Sequence, residues 1–138
     1  MYVIRKLAKF EMAHKLVDAY SDDCKYNVHG HTYTLELFFK DKELDSNGFI
    51  VDFKKIKDEL GGYINSWDHC LVLFHKEPAE LIATLRKNVR KLKIVDYNPT
   101  AEAMCKDIYT YVKGKFSQLF KVRLHETDSG YAEFFEEE

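Results

Sequence analysis

Apolar and polar positions alternate along two stretches near the start of the chain. Tyr2 to His14 reads as a strand with Phe10, Met12 and His14 on one side. His29 to Lys40 reads as a second strand. There His31, Tyr33, Leu35, Leu37 and Phe39 share one parity, and Thr32, Thr34 and Glu36 take the other. The period then changes. Val51 to Ile64 carries Phe53, Ile56 and Leu60 on a helical stripe, with Asp52 placed as an N-cap. Glu80 to Asn88 reads as a shorter helix. Thr100 to Phe116 puts Ala101, Cys105, Ile108 and Val112 on one face, after Asn98-Pro99-Thr100, which offers a cap followed by a first-turn proline. Leu119 to Thr127 and Tyr131 to Phe135 return to strands, joined by the turn Asp128-Ser129-Gly130. Strand pairs flanking helices predict an α+β fold, a four-stranded antiparallel sheet with two main helices packed on one face. Such a sheet has two open edges, to be protected or used in assembly.

A chain of 138 residues suits a single domain, 1–138, and 46% hydrophobic content supports a core without disulfides. The balance of 21 basic and 23 acidic residues, a net charge of −2, argues against a nucleic-acid binder or a membrane-surface protein. The N-terminus is charged by Arg5, and the longest apolar run, Cys70 to Phe74, is far too short to cross a bilayer. Three widely spaced cysteines, Cys24, Cys70 and Cys105, make a poor disulfide framework and suit a reducing compartment. The expectation is a cytoplasmic protein. Arg86, Lys87, Arg90, Lys91 and Lys93 read first as a solvated face, and second as an attractor of polyphosphate.

The histidines carry more. In His29-Gly30-His31 the two imidazoles project from one face of a strand, their Cα atoms roughly 6.5–7 Å apart, close enough to converge on one ion. Gly30 leaves room on the opposite face. Such a pair also occurs as ordinary polar residues at a sheet end. His14, on the parity of Phe10 and Met12, adds a third imidazole and favours the metal reading. Three histidines with a free fourth position suit a catalytic zinc more than a structural one. Cys24 stands in the polar loop Ser21-Asp22-Asp23-Cys24-Lys25, and a thiol near a cation ionises more readily than an isolated one. Asp68-His69 places a carboxylate beside an imidazole, which can set its tautomer for acid–base work. Glu126 falls on the apolar parity of Phe120, Val122 and Leu124, where it is either salt-bridged or awaits a ligand with paired N–H donors. His125 points away from that parity, His75 sits in a polar loop, and Cys70 and Cys105 read as packing residues.

Taken in order, Phe10-Glu11-Met12-Ala13-His14, Cys24, His29-Gly30-His31-Thr32-Tyr33, Gly48-Phe49-Ile50-Val51-Asp52-Phe53, Trp67-Asp68-His69, Asn98-Pro99-Thr100-Ala101-Glu102 and His125-Glu126-Thr127 resemble the 6-pyruvoyltetrahydropterin synthase / 6-carboxytetrahydropterin synthase (QueD) family over nearly the whole chain. The resemblance implies the tunnelling fold, with subunits joining their sheets into trimeric barrels that pair as homohexamers, active sites at the interfaces. It makes His14, His29 and His31 the Zn2+ ligands, and Cys24, Asp68 and His69 the catalytic residues. It makes Glu126 the anchor of the pterin ring, with Thr100 in the segment that approaches a neighbouring subunit's pterin. The implied substrate is 7,8-dihydroneopterin triphosphate. The implied activity is that of a zinc-dependent carbon–oxygen lyase, 6-carboxy-5,6,7,8-tetrahydropterin synthase, which releases acetaldehyde and triphosphate in queuosine (7-deazaguanine) biosynthesis. A 6-pyruvoyltetrahydropterin synthase serving biopterin synthesis is the alternative within the family, and a non-catalytic zinc- and pterin-binding module the alternative outside it. The four residues between Cys24 and His29 do not decide the branch, and Cys70-Leu71-Val72-Leu73 is more apolar than in many members. A related subtype carries glutamate in place of the catalytic cysteine, and the presence of Cys24 argues against it here.

Overall fold

A computed structural model describes residues 1–137. The chain runs β1 (Tyr2–His14), α1 (Asp22–Tyr26), β2 (His29–Asp41), α2 (Phe53–Trp67), β3 (Cys70–Phe74), α3 (Ala79–Asn88), β4 (Leu92–Val95), α4 (Ala101–Lys115), β5 (Leu119–Thr127) and β6 (Gly130–Phe134). The antiparallel run β1-β2-β5-β6 matches the sequence expectation, but the sheet is larger than four strands. Its order is β4-β3-β1-β2-β5-β6, with β3 parallel to the end of β1 and β4 parallel to β3. The sequence pattern misses these two strands for a physical reason. Four of the five β3 residues are buried, so the run has no polar alternation to mark it. Helix α3 serves as the crossover that a parallel pair needs.

Three local details also differ from expectation. The polar loop holding Cys24 contains one helical turn, capped by Ser21, whose hydroxyl accepts from the Cys24 amide at 3.3 Å. Asp52 caps α2 as predicted, yet Phe53 is 49% exposed, and the buried stripe begins a turn later at Ile56 and continues through Leu60 and Trp67. Helix α4 is capped by Thr100 rather than Asn98, and Pro99 precedes the cap. The Asn98 amide is occupied elsewhere. It accepts from the Val17 N–H at 2.9 Å and donates to the Val17 carbonyl at 2.8 Å, fastening the segment after β1 to the start of α4.

The core lies between one sheet face and helices α2 and α4. Phe10, Met12, Tyr33, Leu35, Leu37, Phe39, Val122 and Leu124 meet Ile56, Leu60 and Trp67 from α2 and Met104, Cys105, Ile108 and Val112 from α4. Fully burying one such side chain contributes about 1.5–3 kcal/mol. Cys70 and Cys105 are packing residues, as expected, and burial pushes the Cys105 thiol up to about 12.

On the opposite sheet face, Glu36 of β2 is buried. Its carboxylate accepts from His125 Nε2 at 2.6 Å and Arg5 Nη1 at 3.0 Å, with Arg123 Nη1 at 3.5 Å. Burial alone would raise its pKa, but the bonds from His125 and Arg5 and the Arg123 charge outweigh it, leaving the group below its ordinary 4.5. Replacing Glu36 by Gln should cost about 2 kcal/mol of stability near neutrality in denaturant titrations. Because the folded pKa is depressed, this contribution is complete above the unfolded carboxyl's titration and is lost as pH falls through the folded one. The gap between wild type and variant should therefore close in acid. A gap that stayed constant with pH would show that the ionised carboxylate contributes nothing.

Candidate metal centre

The pairing of β1 with β2 builds the centre. His14 is opposite His29, and Met12 is opposite His31, so three imidazoles of one parity gather at the strand ends on the core side of the sheet. Their ring centroids lie 4.6, 5.0 and 5.3 Å apart. One nitrogen from each falls within 4.8 Å of the others.

Backbone carbonyls decide which nitrogens face inward. His14 Nδ1 lies 2.8 Å from the Pro99 carbonyl, and His29 Nδ1 lies 3.1 Å from the Asn27 carbonyl. A carbonyl only accepts, so both Nδ1 atoms carry the protons. In the neutral rings the two Nε2 atoms then turn lone pairs toward each other, 3.0 Å apart. Burial, partly opposed by the Pro99 bond and reinforced by His29 and His31, brings His14 down to about 4 and keeps it neutral. His31 is lowered in the same way, burial outweighing the attraction of Glu126. His31 Nε2 is buried without a hydrogen-bond partner, with Glu126 Oε1 3.6 Å away. Facing lone pairs and an orphaned nitrogen are what a cation held by imidazoles requires, and the residues fit a zinc-like ion. Buried Tyr33 supports the floor, its hydroxyl 3.4 Å from His14 Nδ1.

Glu126 lies at the edge of this centre and, with Ala101, Glu102, Thr127, Gly130 and Tyr131, lines a cavity of about 210 Å³. Thr100 does not line that cavity; its hydroxyl accepts from the Ala103 amide as the cap of α4.

Asp68 and His69 form a pair at the C-terminal end of α2. Asp68 Oδ1 accepts from the Glu11 amide and Oδ2 from His69 Nδ1, both at 2.8 Å. These bonds, the Glu11 one foremost, hold the Asp68 carboxyl below its ordinary value. With Nδ1 donating, His69 keeps Nε2 free to accept a proton. The imidazole is 75% exposed and lines, with Glu11, Gly30, His31, Thr32 and Cys70, a cavity of about 390 Å³. A Cβ on Gly30 would make only an ordinary 3.5 Å contact with the Met12 carbonyl, so the glycine keeps the cavity open rather than relieving a clash.

Within one chain, then, the three imidazoles and Glu126 come together. Among the described residues Cys24, Asp68 and His69 stand outside the cluster of ligand atoms, and half-buried Cys24 sits on α1. Sequence reasoning did not find the orienting groups. The carbonyls of Asn27 and Pro99 and the Glu11 amide are backbone atoms and leave no residue-type signal.

The 6-pyruvoyl tetrahydropterin synthase family model matches residues 3–137. The chain is 30% identical over 145 residues to the 6-carboxy-5,6,7,8-tetrahydropterin synthase of Helicobacter pylori, covering 96% of this chain and 72% of that one. The enzyme of the same name from Aquifex aeolicus is 32% identical over 122 residues, 80% and 75% of the two chains. Among solved structures, an uncharacterized protein from Wolinella succinogenes superposes with a TM-score of 0.84 at 16% identity, covering 99% and 98%. The Caenorhabditis elegans 6-pyruvoyl tetrahydropterin synthase gives 0.72 at 21% identity, covering 99% and 96%. The architecture is the tunnelling fold.

Proposed function

Since the chain belongs to the 6-pyruvoyl tetrahydropterin synthase family, we propose that it is a zinc-dependent 6-carboxy-5,6,7,8-tetrahydropterin synthase. It takes 7,8-dihydroneopterin triphosphate to 6-carboxytetrahydropterin, acetaldehyde and triphosphate, in the cytoplasm and on the route to queuosine. The names of the Helicobacter pylori and Aquifex aeolicus relatives support the branch. The observation that carries the reading is the set of three inward-turned imidazoles with a carboxylate 3.6 Å from the third.

His14, His29 and His31 hold the metal, which when bound supplies a Lewis acid for the substrate's side-chain hydroxyls. Glu126 accepts the paired N–H groups of the pterin edge, a charge-assisted arrangement that fixes the ring beside the metal centre. Cys24 and His69 move protons on the three-carbon side chain, and Asp68 holds His69 with Nε2 free to accept. Thr100 belongs to the segment that approaches a neighbouring subunit's pterin.

The working unit is a homohexamer, a dimer of trimers, with active sites between subunits. Two observations support assembly. Among the described residues, 2–10 of β1 pair with β2 on one side only, and β4 and β6 end the sheet, so strand edges are open. Asp68 and His69 also stand outside the three-histidine cluster of their own chain, and the His69 imidazole is 75% exposed, open to a neighbouring subunit.

Product analysis with 7,8-dihydroneopterin triphosphate tests the reading. Acetaldehyde and 6-carboxytetrahydropterin are expected. A retained pyruvoyl side chain would assign the 6-pyruvoyltetrahydropterin branch instead, and pterin binding without turnover would leave only a binding module.

A further inference from the structure

The charged run at residues 86–93 has one member whose amine is not simply solvated. Lys91 Nζ donates to the Asn65 carbonyl at 2.8 Å and to the Asp68 carbonyl at 2.6 Å. Its own carbonyl accepts from the Leu71 amide at 2.9 Å. One residue thus grips the 68–71 segment at both ends. The Asn65 and Asp68 carbonyls belong to the end of α2, where a cation meets the negative end of the helix dipole; the Asn65 carbonyl also accepts from the Asp68 amide at 3.2 Å.

Capping alone does not account for the geometry. His69 has φ +58°, a left-handed conformation that costs a residue with a Cβ about 1–2 kcal/mol. Such a turn persists only where its surroundings over-determine it. The peptide group joining Asp68 to His69 is pinned at both of its polar atoms. Its carbonyl takes the Lys91 ammonium, and its N–H donates to the Glu11 carbonyl. The Glu11 amide in turn holds Asp68 Oδ1. The Glu11 constraints come from backbone atoms near the C-terminal end of β1. Lys91 supplies the one external side chain that fixes this peptide plane among the described residues.

We infer that Lys91 is a positioning residue for the Asp68–His69 pair, holding the peptide plane that aims the His69 imidazole. The inference rests on the proposed role of His69 in proton transfer. Its test uses the full-length, zinc-loaded protein with Lys91→Met and Lys91→Arg. Lys91→Met should lower kcat about 10- to 100-fold with KM changed by no more than about twofold, because misaim of an acid–base group is felt in the chemical step. Zinc content should stay at the wild-type level. Hydrogen exchange at the His69 amide should speed up by about tenfold or more. Lys91→Arg, which keeps two donors, should recover most of both losses. A Lys91→Met protein with wild-type kcat overturns the inference. So does one whose only change is a lower Tm, which would mark a helix cap and nothing more. Should Lys91→Met fail to fold, Lys91→Gln is read in the same assays. Should the wild type turn nothing over, the functional reading falls, and the exchange measurement still decides: unchanged His69 protection in Lys91→Met defeats the assignment.

Discussion

Cys24→Ala is expected to lower turnover of 7,8-dihydroneopterin triphosphate by about 10²- to 10⁴-fold, the range of a positioned proton-transfer group, and to leave zinc content at the wild-type level. The size of the effect follows from how little else the substitution removes. Cys24 holds its surroundings through main-chain atoms. Its amide donates to the Ser21 hydroxyl and its carbonyl accepts from the Leu16 amide at 3.2 Å, and alanine keeps both. The thiol is half-buried and is not one of the clustered metal-ligating groups. Steady-state kinetics and elemental analysis on the same preparation make the test. Turnover that survives the change removes Cys24 from the chemistry.

The second large effect is loss of metal from His29→Ala. Protein purified without chelator should carry about one zinc per chain, and the variant less than about a tenth of that, since two imidazoles replace three. His29 is the informative ligand to remove. It is only partly buried, and its ring is held by the Asn27 carbonyl and by the neighbouring imidazoles. His14, fully buried and bonded to the Pro99 carbonyl, would leave a cavity and confuse metal loss with unfolding. Added zinc should raise the wild-type Tm and leave that of His29→Ala nearly unmoved, because a ligand stabilises only the state that binds it. Full occupancy in the variant would defeat the three-histidine assignment.

How much of this was legible in the sequence depends on what each feature is made of. The β1 and β2 alternation is a side-chain pattern, and from it came both the core face and the convergence of His14, His29 and His31. Helix α4 was legible for the same reason, through Ala101, Cys105, Ile108 and Val112. Strand β3 was not, because a segment covered on both sides has no second period. The convergence of the three histidines was readable, but not what orients them, since any residue type can offer the carbonyls of Asn27 and Pro99. Lys91 looked like part of a solvated cationic run. Its partners are carbonyls 23 and 26 residues away, which no local pattern reports.

The thirteen-pair register between β1 and β2 sets what kinds of length change this protein can accept. A residue inserted within β1 before Phe10 would turn every later side chain to the other sheet face, moving Phe10 out of the core and His14 out of the site together. The stretch from Lys15 to Val28 obeys no such rule. It leaves one strand at His14 and rejoins the other at His29, and those ends are fixed opposite each other whatever lies between. Apart from Asn27, whose carbonyl orients His29, and Val17, which is bonded to Asn98, the loop that carries Cys24 can lengthen, shorten or change sequence without shifting the paired strand ends. One strand pair therefore keeps the three-histidine cluster constant, while the adjoining loop is free to vary the groups placed beside it.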